Sequence, residues 1–181
     1  MTLSHDEAES ALRAVAEAEA RSLRAYGYQQ ASPHLLLWGC LWILGYGMTE
    51  FWPHQWTAIW SAVVAVGLVA SFGLGMRKKP PKEFYSRFAA IALTAFAFIF
   101  AVIAIMAPRS GNQIGALIPL TVAVGYALLG IWRGPRFYIS AAVIAALTLG
   151  GYFFLPDHFN LWMAALGGGS LVLVGFWLSK V

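Results

Sequence analysis

A single cysteine, Cys40, among 181 residues excludes an intrachain disulfide, a CxxC redox pair and a thiolate metal cluster. Charge is the next scarcity. Only 11% of residues are charged, against roughly 25% in soluble proteins, while 60% are hydrophobic. A water-soluble fold of this length would leave wide apolar patches bare, so composition excludes an ordinary soluble domain. No HExxH pattern and no pair of helix-embedded histidines able to clasp haem occurs. The expectation is no catalytic residue, no cofactor and no metal, and therefore not an enzyme.

What is present is apolar sequence in membrane-sized blocks. A helix needs about 20 apolar residues to cross roughly 30 Å of hydrocarbon. Six candidate spans meet that length, at 34–52, 57–76, 88–107, 113–132, 137–155 and 160–178. Backbone groups in lipid must pair within the segment, which leaves helices as the spanning state. The expected fold class is an all-α integral membrane protein. Six transmembrane helices would form three antiparallel hairpins, with a cytoplasmic amphipathic helix over residues 1–32 ahead of a transmembrane domain over 33–181.

Basic residues divide between the two sides. The amino-terminal arm, the second loop, the fourth loop and the tail hold 3, 5, 2 and 1, and the remaining loops hold only Arg109. Positive residues stay on the cytoplasmic side, which predicts both termini there. The net charge of +4 is accounted for by this asymmetry and by attraction to anionic lipid, with no nucleic-acid partner. Residues 1–32 contain five acids and lack a secretory signal pattern, so the first apolar segment is expected to be an uncleaved anchor.

The arm reads as a helix from about Ser4 to Gln30. Ser4 and Glu7 make a capping-box pattern, and Glu9→Arg13 and Glu17→Arg21 are favourable i,i+4 pairs. Ala8, Leu12, Val15 and Tyr26 form a thin apolar stripe. A solvated helix is the default, and a docking helix for a cytoplasmic protein or a second copy of the chain is the alternative. Pro33 is placed at the start of the first span, where a missing N–H is tolerated.

Trp52, Trp56, Trp60 and Trp162 gather near one boundary and Trp132 and Trp177 near the other, the distribution of membrane-interface belts. Each expected outer turn carries a proline, at Pro53, Pro108 and Pro156. A basic residue follows at Arg77, Arg133 and Lys180, after 24, 25 and 24 residues. This regularity suggests one hairpin used three times. Trp38-Gly39, Gly45, Pro53, Gly67 and Gly73 in the first unit, echoed over residues 34–180, resemble the HdeD-type bacterial membrane proteins. That family is built from a short repeated hairpin and is associated with acid resistance. The resemblance implies a multi-pass protein of the bacterial inner membrane and offers no catalytic residue to transfer.

Three residue groups are candidates for function. Glu50, His54, Arg109, Asp157 and His158 lie at the expected outer end. Their chemistry suits ordinary interfacial polarity, a proton-responsive cluster or metal binding, in that order. Arg77, Lys78, Lys79, Lys82 and Arg87 form a polybasic loop expected to contact anionic lipid, each contributing on the order of 1 kcal/mol. Gly111 and Gly115, in GxxxG spacing, and Gly167, Gly168 and Gly169 are expected to let helix backbones approach closely. Gly167–Gly169 also suit an unwound point at a transport site. The functional expectation is a non-enzymatic membrane protein of stress-response, sensing or membrane-organising type. A small channel or transporter subunit, with a hydrophobic or lipid-like solute as one option, is the alternative.

Overall fold

The computed structural model describes residues 5–76 and 82–180. All ordered elements among them are helical. They are α1 (His5–Phe51), α2 (Trp56–Met76), α3 (Lys82–Met106), α4 (Gly111–Arg133), α5 (Pro135–Phe154), α6 (Phe159–Trp162) and α7 (Gly169–Ser179). A π-helical stretch, Met163–Gly168, joins α6 to α7 without interruption, and short 3-10 turns, Pro53–Gln55 and Pro156–His158, precede α2 and α6.

Five helical segments are long and apolar enough to cross a membrane: Pro53–Met76, Ala89–Met106, Gly111–Ile131, Pro135–Phe154 and Pro156–Ser179. They match the second to sixth expected spans to within a few residues. The first, 34–52, is the distal part of α1 and falls outside that set. Trp38, Trp42, Tyr46, Glu50 and three glycines dilute its hydropathy. Its position explains why this is tolerated: Leu35, Trp42 and Tyr46 are buried, because α1 packs against α2, α4, α6, the π-helical stretch and α7. One face of the helix is thus sheltered by its neighbours, while Ile43, Leu44, Met48 and Phe51 on the other remain exposed.

Pro33 does not begin a helix. It lies inside α1, so the arm and the first span are one 47-residue helix. The missing N–H removes only the bond to the carbonyl of Gln29, and tertiary contacts on both sides hold the helix. Tyr28 is buried against Phe137, and the Ser32 hydroxyl donates to the Gly175 carbonyl at 2.8 Å. Over residues 9–23 the arm is exposed apart from a half-exposed Ala20, with Leu12 at 71%. Arg13 donates to Glu9 at 2.6 Å, and no ion pair joins Glu17 and Arg21. Ser4 and the Glu7 side chain lie outside the described residues.

The most extensive pairings are α4 with α5 and α1 with α7. A single residue, Gly134, separates α4 from α5. Its φ of 115° belongs to a region that side-chain-bearing residues avoid, and Pro135 starts the next helix at a position needing no donor. α3 touches α4 only lightly. From residue 89 onward its described side chains are exposed or half-exposed. Hydroxyls within the helices turn back on their own carbonyls: Thr49 on Gly45, Thr121 on Leu117, Ser140 on Arg136 and Thr148 on Ile144. Among the described residues no buried side-chain polar atom lacks a partner.

Candidate functional site

The three proline turns lie at one end of the bundle, where the Asn112 amide donates to the Pro156 carbonyl at 2.7 Å. The organising residue there is Tyr46. Pro119 sits inside α4 and has no N–H to give the carbonyl four residues back, that of Gly115. The Tyr46 hydroxyl, from α1, donates to this carbonyl at 2.6 Å. Gly115 makes the approach feasible, since a Cβ there would lie 3.0 Å from the Phe159 ring and 3.6 Å from the Tyr46 ring. Edge-to-face contacts then tie Tyr46 to Trp60 at 4.8 Å, Trp42 at 6.0 Å and Phe159 at 6.2 Å, joining α1, α2 and α6. Such ring pairs contribute roughly 0.5–1.5 kcal/mol beyond area burial.

Beside this cluster lies a cavity of about 340 Å³ lined by residues of α2 and α4, with Tyr46 and Thr49 from α1 and Asn160 from α6. Tyr46, Trp56, Trp60, Ile114 and Ile118 supply its apolar wall, and Thr49, Asn112 and Asn160 its polar groups. Among the described residues no charged one lines it. Asn160 is half-buried, and its side chain has no hydrogen-bond partner among the described residues.

The five polar candidates do not come together. His54, Arg109, Asp157 and His158 are exposed and Glu50 is half-exposed. No hydrogen bond or ion pair joins any two of them. Among the described residues no group of three His, Cys, Asp or Glu could hold a metal ion. The Arg109 backbone N–H is used locally, donating to Gln113 at 2.6 Å within the capping box of Ser110 and Gln113 that starts α4. In the polybasic group, Arg77, Lys78 and Lys79, and the side chains of Lys82 and Arg87, lie outside the described residues.

The glycines divide. Gly168 lies at the crossing of α1 and α7, where a Cβ would fall 2.9 Å from the Gly39 carbonyl oxygen. A Cβ on Gly39 would fall 2.9 Å from the Gly168 oxygen in return. Gly111 and Gly169 meet nothing within 4 Å, so of the expected GxxxG pair only Gly115 is at a contact. Gly167 faces Met163 of its own helical turn. The backbone there is π-helical, not unwound. The tryptophans also divide, for Trp52 and Trp56 are exposed while Trp42 is buried. Trp38 donates to Ser71 at 3.1 Å and Trp162 to the Leu147 carbonyl at 2.8 Å. Trp38, Trp42 and Trp162 therefore hold helices together.

At the opposite end Arg136 closes the bundle around the base of the arm. Its guanidinium lies 4.6 Å from the Trp177 ring centre and 5.4 Å from that of Tyr28, and donates to the Trp177 carbonyl at 3.2 Å. The sequence reading counts Arg136 only as a positive charge and does not single out Tyr46, Asn112 or Asn160. A proline in mid-span was the available signal for Tyr46, because it implies an orphan carbonyl that a neighbouring helix must satisfy. The chain matches no family model, no curated protein and no solved structure, so the HdeD-type resemblance rests on its glycines and prolines alone.

Proposed function

We propose that this chain is a non-enzymatic membrane protein of sensing or membrane-organising type, in which α1 transmits between the cavity and the exposed arm. One observation carries the reading. A single helix supplies Tyr46 and Thr49 to the cavity, passes the Arg136 clamp at Tyr28, and continues into an arm whose Leu12, Val15 and Leu23 are exposed. A displacement at the cavity is therefore delivered along a rigid rod to a surface free to meet a cytoplasmic protein or a second copy. A transport path has less support, since among the described residues the buried hydroxyls of Ser32, Ser140 and Thr148 are given to carbonyls and that of Ser71 is engaged by Trp38.

In this proposal the distal half of α1 is a sixth span, packed against the second, fourth and sixth. Both termini face the cytoplasm of a bacterial cell, as the basic residues require. Complementation of a deletion strain under acid stress tests the function. The full chain is expected to restore survival and a chain lacking residues 1–23 is not; equal rescue by both overturns the reading. Saturable solute flux into liposomes that is lost in Glu50→Gln would place the chain among transporters instead.

A further inference from the structure

We infer that the cavity between α2 and α4 is a binding site for an uncharged, hydroxyl-bearing amphiphile, a neutral lipid of the monoacylglycerol or long-chain alcohol class. The volume, about 340 Å³, falls within the usual range for ligand sites. It accommodates roughly eleven water-sized groups at about 30 Å³ each, a head and the first part of a chain rather than a whole phospholipid.

The lining sets the chemistry. Two indole rings and two isoleucines favour a hydrocarbon segment, and Asn160 presents both an amide donor and a carbonyl acceptor without a partner of its own. Asn112 has one amide hydrogen committed to Pro156, which holds its side chain in place. Thr49 has its hydrogen committed to Gly45 and is left with acceptor capacity. A hydroxyl, donor and acceptor at once, answers this set. A phosphate or carboxylate does not, because among the described residues no cation lines the cavity: Arg109 is exposed outside it. A primary ammonium lacks a carboxylate partner, since Glu50 follows Thr49 in the chain yet does not line the cavity.

The inference rests on the reading of α1 as a transmitter for its consequence, but the two fail separately. The purified full chain is incubated with a diazirine-bearing monoacylglycerol, irradiated, and the adducts are mapped. Adducts are expected in residues 46–60 and 111–118, displaced by unlabelled monooleoylglycerol at a concentration at least tenfold below that needed of phosphatidylglycerol. Asn160→Ala, which removes a side chain with no internal partner, is expected to weaken displacement five- to tenfold, as loss of one hydrogen bond implies. Equal competition by the anionic lipid, adducts confined to other segments, or undiminished binding by Asn160→Ala would each overturn the site. Binding as described, with no change in the mobility of a spin label at residue 12, would leave the site standing and refute transmission.

Discussion

Replacing Tyr46 with phenylalanine removes one oxygen and keeps the ring, so it isolates the hydroxyl that stands in for the missing N–H of Pro119. The bond to the Gly115 carbonyl is 2.6 Å long and Tyr46 is 2% exposed. A buried carbonyl left without a donor costs about 1–3 kcal/mol. Interhelical hydrogen bonds in membrane proteins average about 0.6 kcal/mol, which sets the lower bound. The expected loss for Tyr46→Phe is therefore about 1–2 kcal/mol. In a Pro119→Ala background the new N–H of residue 119 reaches the same carbonyl from within α4. The same substitution should then cost less than about 0.5 kcal/mol, a coupling of roughly 1 kcal/mol in the double-mutant cycle. Unfolding in mixed micelles by stepwise addition of SDS, followed by circular dichroism, measures all four proteins. Equal losses in the two backgrounds would show that the tyrosine does not replace the proline's donor.

Two further substitutions probe backbone positions. Gly168→Ala places a carbon against the Gly39 oxygen and the Ile43 backbone nitrogen, each 2.9 Å away, so α1 and α7 must separate by roughly 0.5 Å. That gap forfeits about a quarter of the dispersion at adjoining contacts, and a net loss of about 1–2 kcal/mol is expected in the same titration after the gain in helix propensity. Gly169→Ala, with open space around it, should be neutral or stabilising, and a larger loss there than at Gly168 would refute the crossing. Ala107 has a φ of 43°, a conformation costing side-chain-bearing residues roughly 1–2 kcal/mol. Ala107→Gly is accordingly expected to stabilise by about 1 kcal/mol, and a destabilisation would contradict the assigned strain.

How far the sequence carried depends on which physical rule each element obeys. Helix existence follows from apolar length, and α2 to α5 were legible for that reason, with ends marked by Pro53, Pro108, Gly134 and Pro156. The continuity of α1 was not legible. A proline after a charged arm reads as a start, and only Tyr28 and Ser32, buried against α5 and α7, keep the helix going. The candidate site was read from charge, which drew attention to Glu50, His54, Arg109, Asp157 and His158. These stay in solvent because nothing in the bundle pairs them. The cavity instead draws on uncharged side chains from four helices, and no spacing in a single chain segment announces that Asn160 will face Thr49 and Asn112. The glycine signal was partly informative: Gly115 and Gly168 lie at helix crossings, whereas Gly111 and Gly169 share their spacing without meeting a neighbour.

The central claim is that α1 is one rod from the arm to the cavity. Spin labels at Glu17→Cys and Leu44→Cys in a Cys40→Ser background, read by pulsed dipolar spectroscopy in lipid nanodiscs, measure it directly. Twenty-seven residues at about 1.5 Å each predict a narrow distribution centred near roughly 40 Å. A broad distribution, or one centred well below that value, would mean that the helix breaks at Pro33 and that the arm moves independently of the bundle.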